Sequence, residues 1–230
     1  MKYKLGILGG MGPLATCKLF EKIVTKTYAT KDQDHIEMVI INKCSIPDRT
    51  AAIFENGENP VPKINEGIDE LIKNGCENFI IPCNTAHYFK NSFDLQGKIN
   101  FIDMIEETLK YLEDNYKHSK ICVLATDGTV KTNIYGKNNN LNINYPSEAV
   151  QKQVMEVIYK TKSGFDMCSE LNKIIDNKEY DLYLLACTEL SIYNERLNGN
   201  TLDAMDVLVS SAIRKCGKKI INKGVPNETK

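Results

Sequence analysis

Two cysteines in this chain stand where a thiol can do proton chemistry. The stretch 79–87 reads FIIPCNTAH, and the stretch 183–190 reads YLLACTEL. In each, a short apolar run of the kind seen in strands covered on both faces leads into a cysteine. Pro82 ends the first run, and Cys83 is followed by Asn84 and Thr85; Cys187 is followed by Thr188 and Glu189. A thiol where a strand gives way to a helix meets backbone N–H groups and the positive end of a helix dipole, which favour thiolate over thiol. Two such cysteines of one design suggest two facing halves, each with one thiol. The matching chemistry is inversion of a carbon centre, in which one thiolate takes a proton from one face while the other thiol delivers a proton to the opposite face. The carbanion between these steps must delocalise into an adjacent carboxylate. Donors at Asn84, Thr85 and Thr188 would stabilise that charge. No lysine motif for a pyridoxal cofactor stands out, so the protein would do this work unaided.

The elements that must position these residues alternate between strand and helix. Residues 3–9 read as a buried strand running into GGMGP (9–13), where glycines allow a tight turn and Pro13 suits the first position of a helix. Leu14, Cys17, Phe20, Val24 and Tyr28 then follow helical spacing. The turn fits either an anion at the helix start or a plain strand-to-helix connection; it matches neither the GxGxxG fingerprint nor a P-loop. A strand at 36–42 leads to SIPDRT (45–50), which places Arg49 just past a strand end, where a guanidinium can grip a carboxylate with two hydrogen bonds. A helix is expected over 61–74 with Gly75 as its stop. His87 falls four residues after Cys83, so a Cys–His nucleophilic pair is a further possibility. A short strand at 99–102 and a helix at 105–116 follow.

Near residue 117 the plan restarts. LGILGGMGPLAT (5–16) and ICVLATDGTVKT (121–132) both read strand, glycine-containing turn, helix. Helices at 147–162 and 168–177, a strand at 180–186, a last helix at 202–215 and a polar tail complete the chain. The like topology puts both cysteines at carboxyl-terminal strand ends, where parallel sheets bind ligands.

Composition narrows the function classes. Lys plus Arg number 29 against 30 for Asp plus Glu, so the formal charge of −1 offers no global field to hold nucleic acid or an anionic membrane. No apolar stretch approaches the ~18 residues of a membrane span. The first strand starts without a leader pattern, and a cytoplasmic location is expected. The eight cysteines are therefore read as free thiols. Apart from Cys83 and Cys187 they are expected to be small packing residues. His35, His87 and His118 are scattered and no CxxC pair occurs, which gives no metal-site spacing.

The segments GGMGPLAT (9–16), IPDRT (46–50), PCNTAH (82–87), GT (128–129) and CTEL (187–190) occur in the order and spacing of one family. The chain resembles the aspartate/glutamate racemase family, in particular its aspartate racemase branch. That resemblance implies an α/β fold of two similar lobes, each a mainly parallel sheet flanked by helices, related by a pseudo-twofold with the active site between them. The first lobe would span 1–113, completed by the C-terminal helix 203–230, and the second 114–202. It implies a racemase that needs no pyridoxal phosphate or other cofactor and binds no metal. Its partner would be a small amino acid, aspartate and possibly glutamate, and the enzyme would be a homodimer. Cys83 and Cys187 would be the catalytic pair. Asn84, Thr85, Thr188 and Glu189 would bind substrate, Met11 and Gly12 would line the floor, and Arg49 and Lys162 would be the basic residues for its two carboxylates. Ala186 stands where many relatives have glycine, and the first loop lacks the DSG-type start of the cell-wall glutamate racemases. The alternatives are a related isomerase of hydantoin or maleate type, a non-catalytic protein that binds acidic amino acids, and a hydrolase built on Cys83 and His87.

Overall fold

A computed structural model describes residues 3–137, 140–176 and 178–221. The first half of the chain folds as β1 (Leu5–Gly9), α1 (Pro13–Lys26), β2 (Met38–Asn42), α2 (Arg49–Phe54), α3 (Val61–Lys73), β3 (Asn78–Ile80), β4 (Asn100–Phe101) and α4 (Met104–Asn115). The second half gives β5 (Lys120–Leu124), α5 (Asp127–Thr132), β6 (Asn142–Asn144), α6 (Glu148–Lys162), α7 (Cys168–Ile175), β7 (Leu182–Leu185), β8 (Thr201–Asp203) and α8 (Ala204–Lys215). The strands form two four-stranded sheets with orders β2-β1-β3-β4 and β6-β5-β7-β8. Every pairing between these strands is parallel. The two orders correspond strand for strand, so the expected two-lobe α/β architecture is borne out. Among the described residues no helix is long and apolar enough to cross a membrane.

Strand alternation explains how the lobes join. Leu5 and Ile7 of β1, and Ile121 and Val123 of β5, point to one common core, together with Leu182 and Leu184 of β7 and Met205, Leu208 and Ile213 of α8. The alternate residues face outward into two separate layers. Leu8 and Phe79 pack beneath α3, and Cys122, Leu124 and Leu185 pack beneath α6 and α7. One shared core between two sheets fixes which strand ends face each other. Helix α8 lies against α1 and α4 of the first half.

Three expectations need correcting. On α1 the buried face is Ala15, Thr16, Leu19, Lys22 and Ile23, while Leu14, Phe20 and, just past the helix, Tyr28 are exposed. The cause is polar satisfaction. Lys22 Nζ lies 3.0 Å from Asp203 and 2.6 Å from Asp206, and Thr16 bridges Gly10 N–H and the Gly12 carbonyl, so both polar residues go inward. Cys17 and Cys44 are likewise exposed rather than packed. The segments after the two cysteines, Asn84–Ser92 and Leu190–Arg196, are 3-10 helices rather than α-helices.

Candidate active site

The carboxyl ends of β1, β3, β5 and β7 meet between the lobes. β3 runs on through Ile81 and Pro82 to Cys83, and β7 through Ala186 to Cys187. Cys83 and Cys187 wall one cavity together with Met11, Asp48, Arg49, Thr50, Asn84, Thr85, Thr126, Lys162, Ala186, Thr188 and Glu189. Of the residues that the racemase resemblance assigns to catalysis or substrate binding, only Gly12 is missing from this wall. It lies directly behind, where an added Cβ would come 3.0 Å from the Glu189 Oε1. The cavity measures about 20 Å³, room for roughly one water.

Each wall residue is held by a neighbour. Arg49 opens α2 and spends its Nη1 on the carbonyls of Pro47 (2.9 Å) and Ile46 (3.3 Å). Its Nε is buried with no partner among the described residues, a donor that a ligand oxygen would satisfy. Asn84 presents the same situation: its Oδ1 accepts a hydrogen bond from Tyr135 at 2.5 Å, and its Nδ2 is buried without a partner among the described residues. The hydroxyls of Thr85 and Thr188 are committed across the lobe boundary. Thr85 Oγ1 lies 2.8 Å from Thr126 Oγ1 and 3.1 Å from Thr129 Oγ1, and Thr188 Oγ1 donates to the Pro82 carbonyl at 3.2 Å. Gly128 permits this contact, because a Cβ there would come 2.7 Å from both Thr50 Oγ1 and Thr85 Cγ2.

The electrostatics differ from the sequence expectation at Cys187. Its thiol donates to Glu189 Oε2 at 3.0 Å. Burial and then the Glu189 carboxylate push the Cys187 thiol well above its usual range, against the pull of the Lys162 ammonium. The reading of thiolate stabilisation by a helix dipole is thus reversed at this position, where a carboxylate and a dry environment outweigh backbone donors. Lys162 is an exposed residue at the end of α6 whose ammonium reaches over the cavity. Partial desolvation disfavours its charge, but Glu189, Cys187 and Cys83 together outweigh it and raise its pKa.

His87 does not act on the Cys83 thiol. The Met104 N–H donates to Nε2 at 3.1 Å, so the proton sits on Nδ1, which donates to the Cys83 carbonyl at 2.9 Å. The buried ring therefore ties the backbone of Cys83 to the start of α4. Burial disfavours its charged form more than Asp103 favours it, and the pKa falls below the ordinary 6.5. As the pH drops, the unfolded chain takes up this proton first. The contribution to stability is complete above about pH 6.5 and is lost progressively below it. Urea unfolding between about pH 7.5 and pH 5 should show a falling midpoint, and His87→Gln should flatten part of that slope.

Sequence reasoning missed Thr50, Thr126 and Tyr135. Thr126 had a signal, since it follows β5 where the glycine turn follows β1. Tyr135 had none. Among the described residues no three His, Cys, Asp or Glu side chains are grouped as a metal site requires.

Residues 8–212 match the family model described as Asp/Glu/Hydantoin racemase. An aspartate racemase from Picrophilus torridus is 36% identical, with a TM-score of 0.86 over 95% of this chain and 96% of that one. The broad specificity amino-acid racemase RacX of Bacillus subtilis is 31% identical over 137 residues, covering 58% of this chain and 59% of RacX, less than two thirds of its length. An aspartate racemase homologue from Pyrococcus horikoshii shares the fold at 18% identity, with a TM-score of 0.69 over 94% of this chain and 100% of that one. The two matched sheets, the paired strand-end cysteines and these likenesses agree, and the chain belongs to the Asp/Glu/Hydantoin racemase family.

Proposed function

We propose that the protein interconverts L- and D-aspartate, with glutamate as a possible second substrate, by cofactor-independent proton transfer at Cα with Cys83 and Cys187 as the two acid/base groups. The observation that carries this reading is the shared cavity: one cysteine from each lobe, with Arg49 and Lys162 on the same wall. In one direction the Cys83 thiolate takes the α-proton and forms an S–H bond. The electron pair left on Cα delocalises into the carboxylate. The Cys187 thiol then gives its proton to the opposite face and becomes a thiolate. The reverse reaction exchanges the roles, so no net proton is consumed. The Glu189 carboxylate orients the Cys187 S–H and keeps it protonated until substrate arrives. The unpartnered donors Arg49 Nε and Asn84 Nδ2 suit substrate oxygens, and Lys162 supplies a second positive charge for a second carboxylate. A substrate lacking that carboxylate would leave one cation without a counter-charge.

Several further features belong to the same reading. The first lobe comprises 1–113 with the C-terminal helix, and the second 114–202; the packing of α8 on α1 and α4 supports this division. Of the proposed 203–230 segment, residues 222–230 lie outside the described residues. The exposed apolar residues Leu14, Phe20 and Tyr28 support a homodimer. Eight cysteines without a disulfide suit the reducing cytoplasm.

Incubation of L-aspartate with the protein in deuterated water, without pyridoxal phosphate, tests the reading. D-Aspartate carrying deuterium at Cα is the expected product, and L-glutamate in parallel reports the breadth. Absence of both D-aspartate and α-deuterium would overturn the assignment.

A further inference from the structure

We propose that Tyr135 is a positioning residue: its hydroxyl fixes the amide of Asn84 so that the Nδ2 donors, and not Oδ1, face the reacting carboxylate. The inference rests on the racemase reading and adds a residue to it. Tyr135 lies in the turn after α5, in the second half of the chain, and is completely buried. Asn84 follows Cys83 in the first half and is 3% exposed. The hydroxyl donates to Asn84 Oδ1 at 2.5 Å.

An asparagine amide has an acceptor end and a donor end of nearly equal shape, and a buried site must choose between them. With Oδ1 held by Tyr135, the donor end is the one left over. Asn84 lines the cavity, and its Nδ2 is buried with no partner among the described residues. A buried NH₂ with nothing to donate to is costly in the empty site and is relieved by a ligand oxygen. The oxygen that gains most negative charge is that of the substrate carboxylate while the α-proton is off, so the bond strengthens as the reaction proceeds. Burial also keeps the Tyr135 phenol neutral, and therefore able to donate, throughout the working pH range. The bond crosses the lobe boundary. The donor on one lobe is therefore oriented only while the other lobe is in place.

The test is a double-mutant cycle on the full chain, read as initial rates with L-aspartate. Tyr135→Phe keeps the ring and removes the hydroxyl. It should lower kcat about 10-fold to 100-fold while KM changes by less than about threefold. Asn84→Ala should lower kcat by about 100-fold or more. In the Asn84→Ala background, Tyr135→Phe should cost no more than about twofold further, because the hydroxyl has lost the group it acts through. Losses that multiply in the double variant, or a Tyr135→Phe enzyme within about twofold of wild type, would overturn the proposal. A purely structural role would lower thermal stability in both backgrounds and slow both alike. If Tyr135→Phe does not fold by near-ultraviolet circular dichroism, Asn84→Asp decides. It keeps the acceptor for Tyr135 and removes the donors, and it should be as slow as Asn84→Ala; wild-type rates would overturn the proposal. Wild-type protein that exchanged no α-proton would remove the racemase reading and this proposal together, whereas an active wild type matched by Tyr135→Phe removes only the role of Tyr135.

Discussion

Serine at position 83 or 187 is expected to reduce racemisation of aspartate by at least about 10³-fold. Both sulfurs wall the same cavity, one at the end of each central sheet segment, and on the proposed reading each would serve one face of Cα. A serine hydroxyl is far too weak an acid to become an oxyanion near neutral pH, so the substituted face can neither abstract nor return a proton efficiently. The two losses should not add. Cys83→Ser/Cys187→Ser should racemise no more slowly than the slower single variant, because an interrupted two-base pathway cannot be interrupted twice. The single variants should still differ in one respect. With one thiol intact, the enzyme can remove an α-proton and replace it on the same face, so each should wash deuterium into one enantiomer without inverting it. Proton nuclear magnetic resonance of L- and D-aspartate in deuterated water reads this directly. A single variant that retained wild-type racemisation would remove the two-thiol assignment.

The second large effect is expected at the cationic side. Arg49→Ala should lower kcat/KM for aspartate by about 100-fold to 1000-fold, and Arg49→Lys should restore little of it. The guanidinium is already anchored through Nη1 to the Pro47 and Ile46 carbonyls, which sets the remaining edge at a fixed angle. A lysine ammonium cannot hold that anchor and offer two parallel donors at once. Lys162→Met adds a pH signature. The ammonium is a nearby charge that pulls the Cys187 pKa downward, against burial and Glu189. Its removal raises that pKa further. The limb of the kcat/KM profile that reports formation of the Cys187 thiolate should therefore move to higher pH, together with a loss of affinity for substrate. A profile unmoved in Lys162→Met would show that the ammonium does not act on Cys187.

What the sequence made legible is what is local. The runs FIIP and YLLA are strands because short unbroken apolar stretches flanked by turn residues have few other homes, and the cysteines follow from where those strands stop. The repeat of strand, glycine turn and helix at 5–16 and 121–132 carried the two-lobe plan, and the two sheets have the same strand order. The outward face of α1 was illegible because Lys22 is polar by composition and buried in fact. Its partners, Asp203 and Asp206, lie far along the chain. Tyr135 was illegible for a related reason: its hydroxyl meets Asn84 across 51 positions, and nothing in a turn tyrosine announces a distant amide. The acidity of Cys187 also depended on Glu189 turning back onto the thiol, which the spacing CTE permits but does not require.

The size of the cavity reaches beyond binding. A space that admits about one water leaves the two sulfurs little solvent with which to trade protons. On the proposed two-thiol reading, each turnover would leave the pair of thiols in the mirror image of its starting state until solvent restored the proton. An enzyme that had just released one enantiomer would thus be primed to take back the same one. At high substrate concentration the slow event would then be the resetting of the empty protein, its last turnover recorded in the position of a single hydrogen.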